Sequence, residues 1–481
     1  MSDGSASVRD RISRGLVSVT ARAVIVRFIG LLGTLVLARL LSPSDFGVIA
    51  LGFGLMTFGK FLADGGMVPG LIRRPEAPQR PELAALYGLQ LSVFAVVAGV
   101  TAIVASSHGD AGLTLTLMAA SLLIDAARVP TNVMLERDLD YRLMVRVEVL
   151  DSLVFNAAGV ALVALGAPVW GVGVAALGKS VVGTTLLVRG GPVGLPRPSL
   201  AFGRLRGVLR FGVYFQGAWL AMLLRDQGLN VLLASISGTA ALGAWALAQR
   251  ALSVLTTLFE AAWRVALPGM ARLLEAGEVA RSLLERALGL AATASGFPIV
   301  LLVGTAPALV PTVFGGGWER TIDVLPWIGA GAMLVIPLGT VLTSLLWAQD
   351  EAAKVAKMIV PSLVVTLALG AALMPGLDVQ AAGIASFAGA LIYLVGCVHY
   401  SRDQFGWIAV VRLIVPTGAA AAATALAWIV ASELDPRGLA MVLSGIVGEA
   451  TYLAVLLLLG REPLLRMVRM ATRMRSPVTA T

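Results

Sequence analysis

Eight charged residues stand inside stretches that are otherwise apolar. Arg27, Lys60, Arg225 and Arg250 are the cations; Asp64, Glu148, Asp151 and Asp226 are the acids. A charge in the centre of an apolar span costs about 2.5–3.5 kcal/mol on insertion scales and usually faces a cavity. Arginine meets phosphate oxygens in a fixed fork and lysine meets them as a point charge. The four cations therefore suit a phosphorylated, anionic ligand, and the acids suit ion coupling or the relay of a conformational change. A plainer alternative stands beside this: each cation pairs with a neighbouring acid, such as Lys60 with Asp64, and serves helix packing. Span eight also carries Glu260 and Arg264, with Arg250, Thr257 and Arg264 on one stripe at a spacing of seven.

Other chemistry is excluded. Gly173 to Ser180 (GVAALGKS) matches a phosphate-loop pattern, but that pattern needs a strand before it, a helix after it and a soluble setting. Here it sits within an apolar span, which leaves Lys179 lining a cavity or snorkelling. No nucleophile elbow and no His-Glu-x-x-His occur. The single Cys397 allows no intramolecular disulfide, and His108 and His399 are too few for a zinc site. No cofactor or metal is expected, and the short external loops leave no room for an enzyme acting on lipid-linked sugars.

These residues are carried by helices. The chain of 481 residues is 58% hydrophobic and 14% charged, with a mean hydropathy of +0.87. A soluble domain carries about 25% charged residues, so the composition predicts an all-α, polytopic membrane protein. Apolar runs of about 20 residues predict about fourteen spans, near 15–41, 45–70, 83–105, 111–130, 143–166, 168–188, 209–234, 239–267, 286–312, 321–347, 353–374, 378–400, 407–431 and 437–460. Basic residues fill alternate loops, as at Arg73, Arg74 and Arg80 or Arg137, Arg142 and Arg146, whereas the opposite side has only Arg320 and Arg437. The positive-inside rule then puts both termini in the cytoplasm. The formal charge of +9 is thereby a topology signal and needs no nucleic acid. The first apolar run is too long for a signal peptide, so no cleaved signal is expected. Pro130–Tyr141 reads as an amphipathic interfacial segment, and the basic tail as a surface helix drawn to anionic lipid.

One short stretch organises the chain: LARLLSPSDFGVIAL, from Leu37 to Leu51. Ser42 reads as an N-cap, Pro43 as the first helical residue and Asp45 as its capping-box partner. A weak repeat aligns this stretch with Leu233–Leu247, and both turns fall on the external side. The repeat unit is six helices. The expected organisation is an N-lobe over 1–202, a C-lobe over 203–402, two additional spans over 403–460 and a basic tail over 461–481. Two six-helix lobes in parallel repeat, plus two helices, form a transporter plan with the substrate between the lobes.

At Leu37–Leu51 the chain resembles the opening of Wzx-type polysaccharide flippases, within the multidrug/oligosaccharidyl-lipid/polysaccharide exporter superfamily. Further stretches follow that family in order: Phe61-Leu-Ala-Asp64-Gly-Gly, Met134-Leu-Glu-Arg137-Asp-Leu-Asp-Tyr141, Phe211-Gly-Val, Leu242-Gly-Ala-Trp-Ala-Leu-Ala-Gln-Arg250, Leu267-Pro-Gly-Met-Ala-Arg272-Leu and Phe314-Gly-Gly-Gly-Trp318. The resemblance implies two lobes of fourteen helices in all, alternating access, and a polyprenyl-diphosphate-linked glycan as cargo. It implies partners in membrane lipid, a polysaccharide polymerase and glycosyltransferases. One departure is that relatives often carry Asp before Asn in span seven, where this chain has Leu229-Asn230. The nearest acid, Asp226, stands one turn earlier. Two rivals remain open at this point: a multidrug or cation antiporter of the same superfamily, and a non-transporting scaffold of a glycan-synthesis complex.

Overall fold

The computed structural model describes residues 25–253, 259, 281–349, 351–402, 407–460 and 464–465. Among the described residues all regular structure is helical. Chain contacts divide it into two compact units. The first runs to Ala234 and includes Gly238–Gly243; the second holds Ser235–Ser237 and the chain from Ala244 onward.

The first unit contains α1 (25–40), α2 (Pro43–Asp64), α3 (Met67–Arg73), α4 (Arg80–Ala105), α5 (Gly109–Asp125), α6 (Val129–Arg137), α7 (Tyr141–Ala164), α8 (Trp170–Gly190) and most of α9 (Arg206–Ile236). The SPSD turn forms as its residue types dictate. Ser42 accepts the amide of Asp45 at 3.2 Å, Asp45 accepts the amide of Ser42 at 3.1 Å, and Pro43 opens α2. At its other end α2 stops at Asp64, short of the expected 70. Gly65 and Gly66 take φ of 51° and 72°, a conformation that costs glycine little. Small residues on α2 let it lie close to α5. A Cβ on Gly52 would stand 2.3 Å from Met118 Sδ, and one on Gly59 would stand 3.1 Å from Leu122. Met118 and Leu122 are fully buried at the centre of this unit. In a membrane, packing of this kind drives helix association where the hydrophobic effect cannot.

Span four departs from expectation. It does not end near residue 130. A one-turn 3₁₀ segment, Ala126–Arg128, joins α5 to α6, and the apolar span continues to Arg137. The stretch from Pro130, read from sequence as interfacial, is the C-terminal part of that apolar helical run. Pro130, Thr131, Val133 and Leu135 are buried there. Proline is tolerated at that place because the first turn of α6 needs no amide from it.

The second unit contains the remainder of α10 (239–253), α11 (Arg281–Gly304), α12 (Ala306–Val313), α13 (Glu319–Leu338), a π-helical turn (Gly339–Thr343), α14 (Ser344–Ala348), α15 (Ala352–Leu377), α16 (Val379–Tyr400), α17 (Trp407–Glu433) and α18 (Arg437–Leu459). The expected ninth span is broken at Gly304 into α11 and α12. The Tyr452 hydroxyl of α18 donates to the Thr293 carbonyl of α11 at 3.0 Å, across a Gly296 that leaves room for the ring.

Eleven helices among the described residues are long and apolar enough to cross a membrane. They coincide with eleven of the expected fourteen spans. Of the others, spans one and eight lie partly outside the described residues and span seven corresponds to α9. Arg22, Glu260 and Arg264 lie outside the described residues, as does nearly all of the basic tail. The chain is an all-helical, multi-pass membrane protein.

The two turns paired by the sequence repeat touch one another. A Cβ on Gly47 would meet the Thr239 carbonyl oxygen at 1.9 Å, and a Cβ on Gly243 would meet the Pro43 carbonyl oxygen at 1.8 Å. In the aligned repeat Gly47 corresponds to Gly243 and Pro43 to Thr239, so the contact is reciprocal. The hydroxyls of Ser44 and Thr239 share a hydrogen bond at 2.6 Å. Backbone meets backbone here and cannot yield. Gly243→Val should therefore destabilise the protein by about 1–3 kcal/mol, seen as a lower melting temperature in detergent, whereas Gly238→Ala, with open space around its Cβ position, should act only through its backbone strain.

Candidate functional site

Five charged side chains from four helices meet inside the first unit. Asp125 closes α5 and Arg128 closes the 3₁₀ turn, three residues apart on one side. Arg128 is the hub. Its Nη1 bonds Asp151 of α7, and its Nη2 also reaches Asp151 at 3.3 Å. Its Nε donates to Thr184 of α8 at 2.8 Å and lies 3.3 Å from Asp125. Nη2 further donates to the carbonyls of Ser180 and Lys179 at 3.1 and 3.3 Å. Arg128 is 12% exposed and Asp125 8%. Lys60 of α2 reaches Asp125 at 2.8 Å and keeps 49% of its side-chain surface exposed. Lys179 of α8 is an electrostatic neighbour of all four, and its ammonium lies 5.9 Å from the centre of the Phe155 ring. Phe155 in turn meets Phe53 edge to face at 5.5 Å. Three cations face two carboxylates, leaving one positive charge over.

The placement follows from the sequence locally. Lys60 lies two turns along α2 from Phe53, at i and i+7, so both point to the same side. The whole of Gly173–Ser180 is helical within α8, so the phosphate-loop pattern has no loop to cradle a phosphate. Lys179 thus reaches the network from a continuous span.

Of the residues assigned from sequence, Lys60 and Asp151 belong to this network. Lys60 pairs with Asp125 and not, as its spacing suggested, with Asp64. Asp64 instead accepts the amides of Gly66 and Val68, each at 3.2 Å, and so caps the start of α3. Asp64 and Glu148 are electrostatic neighbours of Glu136 on α6. Arg225 and Asp226 of α9 pair with each other at 2.9 Å. Arg27 is half-buried on α1, and Arg250 is exposed on α10, in the second unit. Asp125 and Arg128 were missed by the sequence reading. The signal was present: an Asp and an Arg three apart, between the apolar runs Leu122–Ile124 and Val129–Pro130. They lay where span four seemed to end, and so looked like boundary charges.

At the C-terminal end of α6, Arg137 donates to the carbonyls of Ile72, Arg74 and Pro75 at 3.2, 2.6 and 2.6 Å. It thereby ties α6 to the end of α3. Arg74 pairs with Glu82 at 2.7 Å, and Glu82 completes a capping box with Gln79 at the start of α4. These charges organise the loops; the Lys60–Arg128–Lys179 group lies among apolar helices, where desolvation makes each pairing matter.

Breaking one partner of a buried charge pair typically costs about 3–5 kcal/mol. Arg128→Leu strands Asp151 and leaves Asp125 with Lys60 alone, and should lower the melting temperature far more than Arg225→Leu, which releases one exposed acid. Thermal unfolding of the purified variants checks the order.

Comparison with known proteins agrees with this architecture. The chain is 26% identical over 335 residues to the lipopolysaccharide biosynthesis protein WzxC of Escherichia coli (strain K12), a match that spans 66% of each chain, just under two thirds of that relative. In three dimensions it resembles the lipid II flippase MurJ in an inward closed conformation, with a TM-score of 0.72 at 11% identity, over 92% of this chain and 99% of that one. It also resembles an inward-facing multidrug resistance MATE family transporter of the MOP superfamily, with a TM-score of 0.53 at 16% identity, over 80% and 94%. At these identities the structural likeness establishes the fold. The two structural neighbours are a flippase and a transporter by name. Residues 36–323, more than half of the chain, match the sequence model of the polysaccharide biosynthesis proteins, and the chain belongs to that family.

Proposed function

We propose that the protein is a flippase. It moves polyprenyl-diphosphate-linked oligosaccharide units from the inner to the outer leaflet of a bacterial-type cytoplasmic membrane, with both termini in the cytoplasm, for polysaccharide biosynthesis. The observation that carries this is the group of charges held among apolar helices, with cations in excess, in a chain of this family. A diphosphate cannot cross hydrocarbon unaided, and cations fixed along the way replace the water it loses. The prenyl tail stays in lipid throughout, and only the head needs a polar route.

Arg27, Lys60, Arg225 and Arg250 hold the diphosphate in this reading, in a cavity between an N-lobe over 1–202 and a C-lobe over 203–402. Asp64, Glu148, Asp151 and Asp226 serve ion coupling or gating. The lobes rock as rigid bodies to expose the cavity to each side in turn. An inside-negative potential favours outward movement of the anionic head. A polymerase and glycosyltransferases would supply and consume the cargo.

Deleting the gene should cause lipid-linked sugar intermediates to accumulate, measured by mass spectrometry of membrane extracts. Arg27→Gln combined with Arg250→Gln should stop glycan export. Unchanged export from a well-expressed double variant would overturn the cationic route and leave a scaffold role standing. Efflux of cationic dyes by the wild-type protein would favour an antiporter instead.

A further inference from the structure

The three cations of the network are not equivalent. Arg128 has all three guanidinium nitrogens engaged, by two carboxylates, one hydroxyl and two backbone carbonyls. Each of the three nitrogens is committed to a neighbouring helix. Lys60 has three ammonium donors and reaches one carboxylate, Asp125, while half of its side chain stays exposed. Lys179 is the unusual one. Among the described residues no carboxylate lies within ion-pair distance of its ammonium, and its close contact is the face of Phe155. An ammonium on a membrane-spanning helix, set beside a ring and short of acceptors, is costly unless a ligand completes it.

We propose that Lys179 and Lys60 together form a two-ammonium site for a diphosphate, and that Asp125 is the internal counterion which the ligand displaces from Lys60. Arg128 is the fixed wall of this site. It keeps Asp125 and Asp151 in place after the exchange, so the acids need not move when Lys60 turns to the ligand. The ring of Phe155 holds the Lys179 ammonium in the meantime by cation–π attraction. This deepens the flippase reading and rests on it. It adds a cation that the sequence set aside as part of a false phosphate-loop pattern, and it gives Asp125 a role opposite in sign to that of a stabilising partner. Two ammonium groups match the two charges of a diphosphate diester. Asp125 and Asp151 then share one guanidinium, leaving one negative charge in excess. Neutralising Asp125 should therefore strengthen binding.

The test is calorimetric titration of the full chain in nanodiscs of zwitterionic lipid, with two probes: inorganic pyrophosphate and a polyprenyl diphosphate. Lys179→Gln should weaken binding by about tenfold or more, as expected for the loss of a hydrogen bond to a charged group. Lys179→Arg should restore most of it. Asp125→Asn should tighten binding, with size-exclusion profile and melting temperature showing that the variant is folded. If Lys179→Gln binds the polyprenyl diphosphate as well as the wild type does, the two-ammonium site is overturned while the flippase reading stands. If a folded Asp125→Asn binds more weakly, the counterion role is overturned. Binding of inorganic pyrophosphate without the lipid form would keep the site and overturn the lipid as its source. A wild-type protein that takes neither probe would overturn the site and the flippase reading together.

Discussion

The first unit depends on one guanidinium. Arg128 holds two carboxylates from two helices and the backbone of a third, inside a bundle whose other contacts are almost entirely apolar. In water such a pairing is worth little, because both partners are already solvated. Between apolar helices the alternative to pairing is an unsolvated charge, so the geometry of α5, α7 and α8 is tied to this side chain. The 3₁₀ turn that carries Arg128 departs from the regular helix at the place where the charge has to be aimed. The break in span four is thus part of the electrostatic arrangement and not a flaw in packing.

Around this hub the protein separates charges that hold from charges that can be exchanged. Arg128, Arg137 and Glu82 are held by fixed partners and fasten helices or loops. Lys60 keeps about half of its side-chain surface exposed and reaches a single carboxylate, Asp125. Small residues do complementary work where no charge is involved. Gly52 and Gly59 let α2 lie against Met118 and Leu122, and Gly47 and Gly243 let the two repeat-related turns meet backbone to backbone. The same helix, α2, therefore presents glycines to the packed side and Phe53 and Lys60 to the charged one.

Much of the fold was legible beforehand. The positions of eleven spans and the SPSD cap follow from local pattern. The candidate site was legible only in part. Lys60 and Asp151 were recognisable as charges in apolar surroundings, and both belong to the network. Lys60 was given the wrong partner, since Asp64 is nearer in sequence but is occupied by the amides that start α3. Asp125 and Arg128 were passed over because span four looked finished, and its continuation through Pro130 depends on burial by α3, α4 and α7, which no window of the chain contains.

The sequence by itself determined that this is a helical membrane protein, where most of its spans lie, and which residues are too costly to sit idle in an apolar span. The physical reason is that hydropathy and capping act within one helix, through nearest neighbours in the chain. Only the tertiary structure decided which acid meets which cation, that Arg128 fastens three helices while Lys179 meets the ring of Phe155, and that the two turns touch. Those outcomes depend on the directions of side chains from different helices at one depth, and a separation of 56 residues, as between Arg128 and Thr184, leaves no trace in local pattern.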